Sequence, residues 1–597
     1  MYNYEKPDNL VELFEESAAQ YADNTLFGTQ NADGEYEWVT YRQTGERIDN
    51  LRGGLANLGV GKGDVVGIIA NNRTEWAITA FATYGLGARF IPMYEKDLRK
   101  TWQYIITDGN VKVLLVANDT IYDHVMQFKD QTPSLEHIAV IDGQGDNTMA
   151  ALEKWGSNHP VASVRPSPGD IAVLIYTSGT TGNPKGVLLS HGNFTSNAIS
   201  GGRLVPELDA NSRSLSILPW AHSFGQTAEL YNFIHLGGSI GFIQDITTIA
   251  DDMGKLSPTY LIAVPRIFNK IYDSLWQKIN ASGGLAKTLF VMGVEAGKQK
   301  RASALQGKSS LLTNLQFKLA DAVVFKKIRQ KFGGRLQGSI TGSATMNVEI
   351  GYFFADIGIP VYDCYGLTET SPAVSMNCPA AHKPGSVGRP IQNVKVVIEP
   401  VSAETENDEG EIVVYGPNVM QGYNNKPEAT REVMTADGGF RTGDLGRLDE
   451  DGFLFITGRI KEQYKLENGK YVFPASLEEE IKLLPWIENA MIYGAGRTYN
   501  VCLAVPDFEV LKGYAEENNL PTEPAELVER DEIKTLISDA VTDFLKDKFH
   551  WYEIPKKFVL MSDPFSTENG LLTQTMKLKR RIVLKRYQSQ IDALYNK

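Results

Sequence analysis

Apolar positions recur with two different periods along the first part of this chain, and the alternation between them predicts its architecture. Residues 9–23 carry apolar side chains at helical spacing, and Thr40 has the character of an N-cap for a second helix reaching Leu58. A continuous apolar run, Val65–Ala70, then reads as a buried strand, followed by a helix from Glu75 to Ala88. The pattern repeats with a strand at Phe90–Met93, a helix from Leu98 to Asp108 and a strand at Val111–Val116. Strands separated by helices of this length imply an α/β fold, with parallel sheets wound on both faces.

Further strands are expected at Ile171–Ile175, at Ser216 leading into His222, at Pro258–Arg266 running into a helix at Ile267–Tyr272, at Ser339–Ala344 and at Val361–Thr370. Between Val387 and Ile456 the pattern shifts to short alternating strands with Gly turns, which predicts an antiparallel subdomain shaped as a distorted barrel. The remainder mixes helices and strands as a small α+β domain. The expected division is a large N-terminal domain, 1–458, and a C-terminal domain, 459–597. Within the first lies a helical insert, 281–335, holding eleven Lys and Arg against Glu295 and Asp321.

Composition narrows the class. At 597 residues more than one domain is needed, and 42% hydrophobic with 22% charged residues is a globular balance. A net charge of −13 argues against nucleic acid as a partner. Cys364, Cys378 and Cys502 are odd in number and widely spaced, which suggests reduced thiols in a cytoplasmic setting and no structural zinc. No apolar run reaches the ~18–20 residues that span a bilayer. The pattern specifies no oligomeric state.

The chemistry enters with Tyr176-Thr-Ser-Gly-Thr-Thr-Gly-Asn-Pro-Lys-Gly186, which follows the strand at Ile171. Glycines allow close backbone approach to a phosphate, hydroxyls and N–H groups donate to it, and Lys185 adds a point charge. The Walker pattern fails, because Pro184 and Gly186 stand where Gly and Ser or Thr are required.

The loop matches instead the signature of the acyl-adenylate-forming enzymes, [ST]-S-G-[ST]-T-G-x-P-K-G. With it, in order, stand Tyr365-Gly-Leu-Thr-Glu-Thr370, Phe440-Arg-Thr-Gly-Asp444, Gly458-Arg-Ile-Lys461 and Glu568-Asn-Gly-Leu-Leu-Thr-Gln-Thr-Met-Lys-Leu-Lys-Arg580. Over essentially its whole length the chain resembles that superfamily. Ala263–Tyr272, Lys465–Val472 and the helical insert favour its long-chain fatty acid–CoA ligase branch.

The resemblance implies ATP, Mg²⁺ and coenzyme A, and a two-step reaction through acyl-AMP. It implies that Thr177, Ser178, Gly179, Thr180, Thr181, Gly182 and Lys185 cradle the phosphates. Thr368 touches the phosphates and Glu369 ligates Mg²⁺. Tyr365 and Gly366, with Ser343 and Ala344, take the adenine. Asp444 accepts the ribose hydroxyls, and Arg459 reaches the sugar or phosphate. His222 lies near the reacting carboxylate, with Arg266 a further candidate. Lys577 serves adenylation; Thr575-Met576 precedes it where the superfamily commonly has Ser-Gly, as the long-chain branch shows, and Lys579 is the alternative. Lys461 is the hinge of a mobile C-terminal domain whose face around Lys465–Tyr471 meets the pantetheine arm.

Three other readings share these motifs: a fatty acyl-AMP ligase loading a carrier-protein thiol, an oxidative adenylate user such as a luciferase, and a non-catalytic binding relative. The intact Lys185, Glu369, Asp444, Arg459 and Lys577 argue against the last. The basic insert admits a solvated face, a contact for CoA phosphates, or peripheral docking on an anionic membrane.

Overall fold

The computed structural model describes residues 7–177, 184–245, 247–305, 307–344, 346–401, 409–567, 569–573 and 577–596. Two compact units divide the chain. One comprises 1–397, 413–442 and 449–454, the other 398–412, 443–448 and 455–597.

Two large sheets build the first unit. The seven-stranded sheet runs, in spatial order, Gly422–Tyr423, Lys185–Ser190, Ile171–Thr177, Arg89–Met93, Val65–Ile69, Val113–Val116 and His137–Val140. Its five strands from Ile171–Thr177 onward are parallel, and the first two are antiparallel additions. The strand Val65–Ile69 is buried at every position, as a parallel strand covered on both faces must be. The nine-stranded sheet is parallel from Val361–Gly366 through Gly338–Thr341, Tyr260–Ala263, Arg213–Ser216 and Ser239–Phe242 to Thr25–Gln30. Antiparallel strands close both edges, Tyr36–Thr40 at one and Ala373–Met376 followed by Arg389–Pro390 at the other.

Local signals place the helices. Thr40 caps Tyr41–Asn57 through a reciprocal capping box with Gln43. Asn9 caps Leu10–Gln20, and Pro265 occupies the first turn of an 18-residue helix, Pro265–Ser282. The basic insert is helical, as Gly284–Leu305, Leu311–Ala320 and Lys326–Lys331. Strands expected within 387–456 are present, but they serve three sheets. Arg389–Pro390 joins the nine-stranded sheet and Gly422–Tyr423 the seven-stranded one. Lys395–Glu399, Gly410–Tyr415, Phe440–Leu448 and Leu454–Arg459 form a four-stranded sheet in that order, within whose strands the chain passes between the units.

The second unit has its own core around a three-stranded sheet, Ile487–Tyr493, Val501–Pro506 and Lys557–Leu560. Val501, Leu503 and Val505 enter one apolar cluster while Cys502 and Ala504 enter another, the two-residue period of a strand buried on both faces. The helix Asp531–Leu545 closes the second cluster with Ile533, Ile537, Val541 and Leu545, all buried at four-residue spacing. Val583 and Ile591 of the helix Arg580–Tyr595 close the first.

Candidate active site

The glycine-rich loop begins and ends on one hairpin. Ile171–Thr177 and Lys185–Ser190 pair antiparallel, with Thr177 and Lys185 as direct partners. Ser178, Gly179, Thr180, Thr181 and Gly182 lie outside the described residues. Gly186 has a packing reason to be glycine: a Cβ there would sit 2.9 Å from the ring of its partner Tyr176. The Tyr176 hydroxyl donates to Asp108 Oδ2 at 2.7 Å, which fixes that ring over the hairpin.

Across the next strand lies a residue that the motifs do not mark. Tyr423 pairs with Val187, so its ring stands beside the foot of the loop, 4.8 Å from Lys185 Nζ. Its hydroxyl donates to Glu369 Oε1 at 2.8 Å. Burial, and then the Glu369 carboxylate, raise the Tyr423 phenol far above its ordinary range, so it stays a donor. One side chain thus joins the loop lysine to the proposed metal ligand. Met420 N–H donates to the Glu369 carbonyl at 2.9 Å and holds the backbone there.

Thr368 is buried, and Ser223 Oγ reaches its hydroxyl at 3.5 Å, which brings the turn holding His222 to the acidic motif. His222 Nδ1 accepts the N–H of Phe224 at 3.2 Å. A neutral ring therefore carries its proton on Nε2 and can donate from there. That turn is fixed from beneath by Glu229, a fully buried carboxyl. It receives Ser214 Oγ and Ser216 Oγ at 2.6 Å each and Trp220 Nε1 at 2.8 Å. Burial raises its pKa, and the three donors oppose that rise. Asn72 adds two further bonds, donating to the Leu218 carbonyl at 2.7 Å and accepting from Trp220 N–H at 2.7 Å.

Tyr365 is buried on Val361–Gly366, while Ser343 and Ala344 follow the adjacent parallel strand Gly338–Thr341 at the same, carboxyl end. Open α/β sheets bind ligands there. Ser343 holds a left-handed φ of 72°, a conformation L-residues adopt at a cost. Asp363 precedes Tyr365 by two residues and so shares its face of the strand. Its Oδ1 has no partner among the described residues, and burial raises its carboxyl well above the usual range. Arg266 sits in the first turn of Pro265–Ser282, half-buried.

In the second unit Arg459 Nε donates to Asp444 Oδ1 at 2.5 Å, and Asp444 is buried. Gly443 before it takes a φ of 69°, donates to Glu411 Oε1 at 3.1 Å and accepts Ile460 N–H at 2.9 Å. That left-handed turn aims the aspartate. Lys461 follows in an exposed turn, where Glu462 and Gln463 N–H both donate to the Arg459 carbonyl at 3.1 Å. Lys465 Nζ lies 4.5 Å from the Tyr471 ring. Lys577 is exposed, and its backbone is held twice: Thr573 N–H donates to its carbonyl at 2.8 Å, and its N–H donates to Thr573 Oγ1 at 3.0 Å. Arg580 anchors this segment from inside, donating to Glu478 Oε2 at 2.6 Å and to the Ile492 carbonyl at 3.0 Å. Lys579, between them, is half-buried.

A family profile described as AMP-binding enzyme matches residues 14–424, and one described as AMP-binding enzyme C-terminal domain matches 461–597. The chain belongs to the AMP-binding enzyme family. Among relatives within it, the long-chain-fatty-acid–CoA ligase FadD15 of Mycobacterium tuberculosis is 32% identical over 583 residues, 95% of this chain and 93% of that protein. Fatty acyl-CoA synthetase A of Dictyostelium discoideum is 32% identical, over 94% of this chain and 86% of its own length. Among solved structures, the adenylation domain of a carboxylate reductase from Mycobacterium chelonae superposes with a TM-score of 0.78 at 22% identity, over 98% of this chain and 91% of that one. The anthranilate CoA ligase AuaEII, in complex with anthranoyl-AMP, superposes at 0.73 with 19% identity, over 97% of each chain. These two share the fold.

Sequence motifs led to Lys185, Thr368, Glu369, His222 and Tyr365, which the first unit carries on the hairpin and at strand ends. They did not lead to Tyr423, Asp363 or Glu229. For the last two a signal existed, since each is an acid set in a run of apolar and aromatic residues, Val361–Tyr365 and Phe224–Leu236. Nothing in Gly422-Tyr-Asn-Asn425 announces Tyr423.

Proposed function

We propose that this chain is an AMP-forming long-chain fatty acid–CoA ligase. In the first step a fatty carboxylate oxygen attacks the α-phosphorus of ATP. The bond from that phosphorus to the bridging oxygen breaks, pyrophosphate leaves, and an acyl-AMP anhydride forms. In the second, the sulfur of CoA attacks the acyl carbonyl, the acyl–oxygen bond breaks, AMP leaves with that electron pair, and the thiol proton is lost to the medium. The observation that carries this reading is the junction of Lys185 and Glu369 on Tyr423, which joins a cation at the foot of the loop to a carboxylate ready for a metal-bound phosphate.

The residues have the following parts. Lys185 and Thr177, with the loop between them, hold the phosphates. Glu369 ligates Mg²⁺. Among the described residues no three His, Cys, Asp or Glu side chains cluster to hold an ion. A single carboxylate supplemented by phosphate and water oxygens suits Mg²⁺, which keeps most of its shell. When bound, that ion neutralises phosphate charge. Tyr365 offers a flat face to adenine, with Ser343 and Ala344 beside it, and the free oxygen of Asp363 accepts from the adenine amine. Asp444 accepts the ribose hydroxyls, and its Arg459 partner fixes it meanwhile. His222 presents Nε2–H to the reacting carboxylate, while Glu229 keeps the turn rigid. Lys577 donates charge to the first transition state, and the turn at Lys461 is the hinge by which residues 459–597 change role between steps. Lys465 and Tyr471 then serve the pantetheine arm.

No helix among the described residues is long and apolar enough to cross a membrane. Long-chain acids partition into bilayers, and the reading therefore includes a cytoplasmic enzyme attached peripherally to a membrane surface. Pyrophosphate release measured over acids of increasing length, with and without CoA and with the product followed by mass, tests the function. Acyl-CoA formed from long acids is expected. Acyl-AMP that accumulates with CoA present and transfers only to a carrier-protein thiol would overturn it.

A further inference from the structure

The basic insert contains a helix with two apolar faces. In Leu311–Ala320, Thr313 and Ala320 are buried, and the Phe317 ring packs against Phe325 at 6.0 Å. The outward face carries Leu311, Leu312, Leu315 and Leu319, which are 87, 66, 66 and 50% exposed. Leu311, Leu315 and Leu319 recur every four residues and Leu312 stands three before Leu315, which gathers them into one ridge about 12 Å long. Val323 extends it. Water-facing ridges of this kind mark a surface that meets something apolar.

Cations surround the ridge. Lys318 stands between Leu315 and Leu319, and Lys326 and Lys327 follow on the same helical run, all three exposed. The two acids of 281–335 are already engaged: Asp321 accepts Arg329 at 2.7 Å, and Glu295 accepts the Gln299 amide at 3.3 Å. Lys298 pairs with Glu349 at 3.6 Å and Arg301 with Asp356 outside the insert, whereas Lys318, Lys326 and Lys327 enter no ion pair among the described residues, within a chain of net charge −13.

We propose that this leucine ridge is the element that docks the protein on an anionic lipid leaflet, the leucines entering the acyl boundary and the lysines meeting the headgroups. It rests on the reading of a peripheral enzyme for long-chain acids and names the surface responsible. A second copy of the chain is a poor occupant. A two-fold contact would oppose one cationic face to another. An anionic bilayer complements both features at once. Each cation at such a surface strengthens partitioning by up to about fivefold. Not every residue of the insert takes part, since Phe290, Phe325 and Ile328 pack inward and Arg329 also holds the Ile357 carbonyl at 2.7 Å.

The test is co-sedimentation of the full chain with phosphatidylcholine vesicles containing about a third phosphatidylglycerol, against pure phosphatidylcholine, at low and high salt. Three proteins are compared: wild type, Leu312→Gln/Leu315→Gln, and Lys318→Glu/Lys326→Glu/Lys327→Glu. Wild type is expected to bind the anionic vesicles, less so at high salt, with at least a tenfold loss in each variant. Acyl-CoA synthesis from detergent-dispersed acid should be unchanged in both. Wild-type binding undiminished in either variant would overturn the ridge as docking element while leaving peripheral attachment standing. Absence of wild-type binding would overturn both. A wild-type dimer in sedimentation velocity that the leucine variant dissociates would instead assign the ridge to a second copy. Absence of acyl-CoA synthesis by wild type would refute the proposed function, independently of any vesicle result.

Discussion

The Tyr423 hydroxyl donates to Glu369 Oε1 at 2.8 Å, while the same ring lies against the ammonium of Lys185. Two residues drawn from motifs some 180 positions apart are thereby held by a third that belongs to neither. A hydrogen bond to a charged group is worth about 1.5–3 kcal/mol. Tyr423→Phe is expected to lower kcat/KM for ATP by about tenfold or more and to raise the Mg²⁺ concentration needed for half-maximal rate. Tyr423→Leu, which also removes the ring beneath Lys185, should cost a further few-fold, in line with a cation–π contact of about 0.5–1 kcal/mol. Pyrophosphate release against Mg²⁺ concentration checks both, and a phenylalanine variant with wild-type Mg²⁺ dependence would contradict the link.

Asp363 offers a buried acceptor oxygen on the face of Tyr365. Asp363→Asn keeps an acceptor, and KM for ATP should stay within a few-fold of wild type. Asp363→Leu removes it and leaves the adenine amine unpaired, which costs about 1–3 kcal/mol, so KM for ATP should rise by at least about tenfold. GTP, which lacks that amine, is the control and should be used poorly by all three proteins.

Lys577 is exposed, its backbone is bonded twice to Thr573, and Arg580 three residues on pairs with the buried Glu478. Lys577→Ala should depress acyl-AMP formation by ~100-fold or more, as expected for a transition-state charge donor. Conversion of preformed acyl-AMP and CoA to thioester should survive. Equal loss in both half-reactions would assign the lysine a different part.

Lys461 lies in the exposed turn beyond Leu454–Arg459. Proline fixes φ and restricts backbone rotation at that point. Lys461→Pro is expected to retain single-turnover adenylation and to slow steady-state acyl-CoA formation. Undiminished turnover with CoA would remove the hinge.

His191 is buried, and its Nδ1 accepts the N–H of Leu10 at 3.3 Å, tying the first helix to the body of its unit. Burial lowers its pKa from 6.5 to about 4. The unfolded chain therefore binds the proton more readily. Stability from the neutral ring is full above pH 6.5 and falls as the pH drops towards 4, by about 3 kcal/mol at one pH unit per 1.4 kcal/mol. His235, lowered to about 4 in the same way, acts in the same window. Urea unfolding between pH 7 and 4 should show this decline, and His191→Asn, which keeps an acceptor, should flatten part of it.

Local patterns determined a good deal of this protein. Buried parallel strands are continuous apolar runs, so Val65–Ile69 and Val113–Val116 were legible without their neighbours, and Thr40 announced a helix start through capping chemistry, whereas Pro265 and Arg266, expected in the strand before Ile267, open the helix instead. The motifs were legible because phosphate binding demands unusual residues in a fixed order, and they led to the AMP-binding family. Pairing across the sheets was decided by tertiary structure alone. The strands Thr25–Gln30 and Tyr36–Thr40 escaped notice because their identity comes from pairing, the first lying between Ser239–Phe242 and the second, which closes the edge. Tyr423 acquired its place between Lys185 and Glu369 only when a two-residue strand docked beside the loop hairpin. The leucines of 311–319 were similarly ambiguous, since helical spacing shows that they share a face but not whether another element covers it. Periodicity reports which side chains point the same way; only the assembled fold decides what they point at.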